Sequence, residues 1–470
     1  MTIVDFPAKK RLSIFLLVMI NLATILSIKN WPMMAEYGFS SIIFLLVASL
    51  TFFIPVSLVS AELASSEKNN EGIFGWVKEA FGEYFGFLAV WLLWVENVIW
   101  YPTMFSFIAA TLCYSFNPEL SHDLFYNVGL ILILFWSVLI INLFGISFSS
   151  LLSTFSVIFG TILPGSIIII FGYLWFTSGE TSQINFSLKS LIPSSFQFNE
   201  IVFLVGMALS FSGIEMNAIH AKDVKNPQKS YPKAIFISTF LIIVLYLIGT
   251  LAIGMIIPKE KINLVTAPIE AISYYLAHYK LSWAVPIFSL MITIGALGGI
   301  SAWLTGTSKT LLTAGKNGNL PSILRKVNRH DVPTSIMIFQ GIIASLMTLV
   351  FFAMPNISSG FWILTVLATQ LYLLMYMLMF ASAIFLRYKK PYIEGTYKIP
   401  GGKKVLVAVS ALGFAFCLFA FGIGFVPPAQ LNTGNVLFYD LFLLCAVLLF
   451  CILPVIIRKF AKRKILSNVN

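Results

Sequence analysis

Runs of about twenty predominantly apolar residues recur along the whole of this 470-residue chain. A helix needs about 20 such residues to cross a hydrocarbon core of about 30 Å. Counted on that basis, twelve spans begin near Leu12, Ser40, Tyr84, Phe125, Leu151, Ile201, Ala234, Ser282, Thr334, Gly360, Val405 and Phe438. Lipid offers the backbone no hydrogen bonds, so segments of this length close their bonds internally as helices. The runs are far longer than barrel strands and do not alternate. The sequence therefore specifies an all-α, polytopic membrane protein.

Composition excludes other classes. Only 10% of residues are charged against 59% hydrophobic, with a mean hydropathy of +0.91, whereas a soluble domain carries about 25% charged residues. The net charge of +11 does not imply a nucleic-acid partner, because the basic residues lie in short segments between spans, with no basic tail or domain. They set orientation instead. With the N-terminus in the cytoplasm, 25 Lys and Arg fall inside and four outside (Lys189, Lys259, Lys261, Lys280), with Lys29 in the membrane. That asymmetry places both termini in the cytoplasm. Lys9-Lys10-Arg11 before Leu12 superficially resembles a signal peptide, but no small-x-small cleavage site follows, and the segment reads as an uncleaved first span. Cys113, Cys417, Cys445 and Cys451 sit in apolar runs without metal-ligand spacing and read as small buried side chains.

Two short amphipathic segments, Gly72–Phe81 and Pro268–His278, are too short to cross and are expected to lie along the interface. They follow spans two and seven. Their equivalent places point to an inverted five-plus-five repeat, residues 1–180 and 181–390, followed by two extra helices in 391–470. The whole, residues 1–470, reads as a single domain.

Two spans are interrupted at matching places, each with a charge at the break. The first is broken by Ser27-Ile28-Lys29-Asn30-Trp31-Pro32, where Pro32 removes a backbone donor and is expected to open the helix around Lys29–Trp31. The sixth is broken by Ser212-Gly213-Ile214-Glu215, after a permissive glycine. Interrupted helices in corresponding halves mark a transporter's substrate site, since unwound backbone is tolerable at that depth only around a cavity or inside protein. Half-helix amides suit a carboxylate and half-helix carbonyls a cation, which matches the two ends of an amino acid.

Charge inside a bilayer costs roughly 2.5–3.5 kcal/mol per residue on insertion scales, so the charged residues carry most weight. Glu215 either receives a substrate ammonium, accepts a coupling proton, or bridges two helices structurally. Lys29 either binds an anionic group or pairs internally with Glu96 or Glu215. Trp303 follows the small-residue string Gly295–Gly299, which permits close helix approach. Tyr372 and Tyr376 stand one turn apart on one face of span ten, and their hydroxyls need partners when buried. His220 and Asp223, closing span six, read as capping or gating residues.

These strings resemble the amino acid–polyamine–organocation transporters, and within them the bacterial glutamate/GABA antiporter group. The resemblance rests on Phe53-Ile54-Pro55-Val56 with Ala61-Glu62-Leu63-Ala64, and on Leu209-Ser210-Phe211-Ser212-Gly213-Ile214-Glu215 with His220. It continues through Asn226-Pro227 with Tyr231-Pro232, Ser301-Ala302-Trp303, and Ile399-Pro400-Gly401-Gly402. It implies a LeuT-like fold with spans one, three, six, eight and ten around the substrate. It implies that Ser212, Gly213 and Ile214 hold the substrate backbone beside Glu215, with Trp303, Tyr372 and Tyr376 as pocket or gate aromatics. Two departures stand out: Lys29-Asn30-Trp31 replaces a tyrosine-rich break, and Gly299 stands where an acidic residue is expected. Both make the pocket more positive, which is compatible with an anionic substrate.

The expectation is secondary active amino acid transport by alternating access, as an antiporter of the glutamate/GABA kind, with a proton-coupled symporter as the alternative. The partners expected are a small-molecule amino acid and membrane lipid, with the protein a monomer or a homodimer. No cofactor is expected. A membrane enzyme would want clustered His, Asp or Glu, and His122, His220, His278 and His330 are scattered over separate segments.

Overall fold

The computed structural model describes residues 12–65, 71–145, 158–193, 197–217, 226–315, 318–389 and 397–467. Every regular element among them is helical. Eleven helices are long and apolar enough to cross a membrane: Gly38–Ser65, Glu83–Ser115, Leu124–Leu143, Ile158–Thr177, Phe198–Asn217, Lys229–Ile256, Ser282–Gly315, Thr334–Ala353, Ile357–Lys389, Gly402–Ile423 and Val436–Ala461. A twelfth is the bent pair Ile14–Ile25 and Ile28–Ala35, whose halves meet at 44°. Numbered in chain order, with the bent pair first, these are spans one to twelve. Eleven predicted starts lie within five residues of the observed ones; Leu151 lies outside the described residues.

The first break differs in detail from the expectation. The helix opens at Leu26–Ser27, a turn earlier than expected, and Lys29 lies in a tight turn over Ile28–Asn30. Pro32 sits in the first turn of the helix Trp31–Ala35, where a missing N–H costs nothing because that donor has no intrahelical acceptor anyway. The proline thus starts the second half-helix and does not end the first.

Burial is unequal. The apolar stretches of spans three, six and ten are 78–83% buried, against 28% for those of spans five and twelve. The former are surrounded by protein; the latter offer apolar side chains outward, as lipid-facing helices do. Cys445 belongs to that outward face and is exposed, unlike Cys113 and Cys417, because no described residue covers that side of span twelve. Spans five and eight touch where Gly160 meets Gly295: a Cβ on either would lie 1.9 Å from the other's Cα.

The two amphipathic segments form the short helices Ile73–Phe81 and Ala267–His278. Two distant sequence strings also meet. Glu62, near the end of span two, forms an ion pair with Arg387 of span ten and accepts the Ile399 amide at 2.8 Å. The 397–399 segment is thereby fastened to span two.

Candidate functional site

Span six ends its regular helix at Ser210. Gly213 follows at φ +114°, a left-handed backbone that a side chain would strain, and Ile214–Asn217 form a tight turn. A Cβ at Gly213 would also press on the Trp303 ring at 3.2 Å and on Thr24 at 3.3 Å. The second break therefore abuts both span eight and the first half-helix. His220 and Asp223 lie outside the described residues.

Between the two breaks is a narrow cavity of about 60 Å³. Span one supplies Thr24, Ile25, Ser27, Lys29 and Asn30; span three supplies Glu96, Asn97 and Trp100. Span six contributes Leu209, Ser210 and Ser212, span eight Trp303, and span ten Tyr372. These are the five spans that the resemblance implied.

Glu215 is 3% exposed and stands directly behind this lining. Its Oε1 accepts the Tyr372 hydroxyl at 2.6 Å and its Oε2 the Tyr376 hydroxyl at 2.7 Å. The two phenol rings stack at 4.8 Å. Tyr376 in turn accepts the Gly213 amide at 3.0 Å. The turn in span six is thus fixed to span ten through a carboxylate and two phenols. No cation contacts Glu215 among the described residues.

Lys29 is buried, and its ammonium donates to Thr103 Oγ1 at 2.9 Å. It lies over the rings of Trp100 at 5.2 Å and Phe361 at 4.9 Å, contacts that favour a cation. It forms no ion pair with Glu96 or Glu215 among the described residues. Glu96 instead accepts from Asn97 at 2.7 Å. An ammonium has three donors, and Lys29 uses one of them within the described residues while lining the cavity.

The remaining predicted residues divide. Asn30, Ser212 and Trp303 reach the cavity wall, while Gly213, Ile214 and Tyr376 shape it from behind. Trp31 points away: its indole fills the space against Gly249 and Gly165, where a Cβ would come within 2.6 and 3.1 Å of the ring. Trp303 packs on Trp100 with ring centroids 6.3 Å apart.

Trp100, Thr103 and Tyr246 are among the participants that escaped sequence reasoning. Trp100 and Thr103 follow Glu96 at four and seven residues, one face of a helix, so a face projection from Glu96 finds both. Tyr246 lies within the apolar span seven, and a buried hydroxyl in an apolar helix signals an unseen partner.

Broken helices around a buried polar cavity in a polytopic helical protein define an integral membrane transporter. The sequence profile described as "Amino acid permease" matches residues 11–450, and the chain belongs to that family, whose members are transporters and not enzymes. It is 39% identical over 452 residues to an uncharacterized transporter of Legionella pneumophila, covering 96% of this chain and 97% of that one. It is 31% identical over 462 residues to a glutamate/gamma-aminobutyrate antiporter of Lactococcus lactis, covering 97% and 92%. A probable agmatine/putrescine antiporter of the same species is 23% identical over 414 residues, covering 86% and 85%.

Proposed function

We propose that the protein exchanges amino acids across the bacterial inner membrane, with an acidic amino acid as one of the two exchanged substrates. Both termini face the cytoplasm, and residues 1–180 and 181–390 work as inverted repeats that alternate around the cavity. The observation that carries this reading is Lys29 on the cavity wall and Glu215 directly behind it, neither in contact with an opposite charge among the described residues. A substrate with a carboxylate for Lys29 and an ammonium directed to the Glu215 side satisfies both. The names of the Lactococcus relatives, antiporters of glutamate and of amines, support exchange.

Gly299 supports the anionic preference. A Cβ there would meet nothing within 4 Å, so packing does not forbid the acidic side chain that the glutamate/GABA group carries. Its absence leaves span eight without that negative charge.

Proton symport is the second reading. It is favoured by Glu215 being a buried carboxylate held only by hydrogen-bond donors, a suitable proton acceptor.

A thermal-shift panel of amino acids on the purified protein tests the substrate class, because a ligand bound to the native state raises its apparent stability. Glutamate or aspartate is expected to stabilise most. Stabilisation by arginine or agmatine and not by any acidic amino acid would overturn the reading.

A further inference from the structure

The first half-helix of span one ends at Ile25, and the regular helix of span six ends at Ser210. The last carbonyls of a helix have no intrahelical donor, and each such end carries roughly half a negative charge. In this protein the two ends converge on one atom. The Tyr246 hydroxyl of span seven lies 3.1 Å from the Ile25 carbonyl and 3.2 Å from the Ser210 carbonyl. The Asn30 amide donates to the same oxygen at 3.2 Å. Tyr246 is fully buried, whereas Ile25, Asn30 and Ser210 all reach the cavity wall.

Two negative helix ends facing one another repel unless something positive lies between them. Discontinuous transporter helices meet this need with a coupling cation held by unwound carbonyls and half-helix C-termini. Here the positive element is a phenolic hydrogen, covalently attached and always present. Neighbouring bonds strengthen the arrangement. Asn21 donates to Ser238 at 2.9 Å, and Asn217 donates to Asn21 at 2.8 Å and to Thr24 at 3.2 Å. Spans one, six and seven are held together on both sides of the break.

We infer that Tyr246 is a positioning residue whose hydroxyl takes the place of a monovalent coupling cation between the two half-helix ends. The exchange proposed above then runs without Na⁺, and removing the hydroxyl opens a seat for such a cation. In Tyr246→Phe the ring remains, the Ile25 and Ser210 carbonyls lose their donor, and the Asn30 side chain can turn its oxygen toward them. Three oxygens then converge in a space next to the cavity, the ligand set a hard monovalent cation takes. The part of this inference concerning exchange rests on the proposed function; the part concerning the cation seat does not.

The test is thermal unfolding of the full-length protein in detergent, in NaCl, LiCl, KCl and choline chloride at one ionic strength. The wild type is expected to melt at the same temperature in all four. Tyr246→Phe is expected to melt lower in choline and to recover by about 2 °C or more in one of the alkali salts, since only a cation bound to the native state stabilises it. Tyr246→Met, which removes the hydroxyl and keeps much of the apolar volume, is expected to behave likewise if the phenylalanine variant does not fold. A merely structural tyrosine would lower the melting temperature equally in every salt, and that result overturns the inference. So would a wild type stabilised by Na⁺, or wild-type exchange in proteoliposomes that falls tenfold when choline replaces Na⁺. If the wild type shows no exchange at all, the functional reading fails while the melting comparison still decides the cation seat.

Discussion

Tyr376 gives its hydroxyl hydrogen to Glu215 at 2.7 Å and receives the Gly213 amide at 3.0 Å. One phenol thus locks the left-handed turn of span six to span ten and orients the carboxylate beside it. Removing it leaves the Gly213 amide and Glu215 Oε2 only their own longer contact of 3.3 Å, at a cost of about 1–3 kcal/mol. Tyr376→Phe is therefore expected to slow exchange by tenfold or more while the protein still reaches the membrane. Tyr372→Phe, which touches the cavity itself, is expected to weaken substrate affinity more than it lowers the amount of folded protein. Wild-type kinetics with a reduced folded yield in both would return the pair to simple packing.

Glu215→Gln keeps the size of the side chain and removes its charge. Two tyrosines and an amide now donate toward a group with one good acceptor oxygen, and any proton or ammonium loses its anion. Exchange should be lost at every pH from about 5 to 8 with protein still present in the membrane. Uptake close to wild type over that range would remove Glu215 from the site.

Lys29 differs from an ordinary structural lysine in having Thr103, Trp100 and Phe361 around it and no carboxylate in contact among the described residues. Lys29→Met should reduce uptake of acidic amino acids more than of neutral ones, and Lys29→Arg should retain part of it. Competition by glutamate, glutamine, GABA and arginine against one labelled substrate measures this. An unchanged rank order in Lys29→Met would make Lys29 a structural partner of Glu96.

Glu36 lies in the turn between spans one and two. It lines an open pocket of about 1070 Å³ together with Lys189, Glu200, Lys259 and Glu260. Burial pushes its carboxyl from an ordinary 4.5 up to about 8, with Lys259 lowering it and Glu260 raising it. Between those two values the folded chain holds a proton that the unfolded chain has released. The stability this gives is fully present below about pH 4.5 and is lost as pH rises through 8. Glu36→Gln should remove that slope, so its melting temperature gains on the wild type between about pH 5 and 9. Parallel curves for the two proteins across that range would contradict the assignment.

Much of this arrangement was legible in the sequence. The spans follow from apolar run length alone, and the breaks from Gly213, Pro32 and their charges. The cavity's five contributing spans followed only from the family resemblance. What the sequence concealed was register in three dimensions. Pro32 could end one helix or begin another, and only the position of Leu26–Ser27 decides it. Trp31 lies beside Lys29 in sequence, yet it turns to the opposite side because Gly165 and Gly249 leave a slot for its ring. Tyr246 is 36 residues from Ser210 and 221 from Ile25, so no local pattern could connect the three. Glu62 and Ile399 belong to separate sequence strings, and only the ion pair with Arg387 shows why both are there.

The central claim is exchange of an acidic amino acid through the Lys29–Glu215 cavity, and counterflow tests it most directly. Purified protein in proteoliposomes is given labelled glutamate outside, with either unlabelled glutamate, GABA or buffer alone inside. Labelled glutamate should enter rapidly when an amino acid is present inside and negligibly when the vesicles hold buffer, and Glu215→Gln should abolish the difference. Equal uptake into empty and loaded vesicles, rising with an inward proton gradient, would show a symporter and contradict the account.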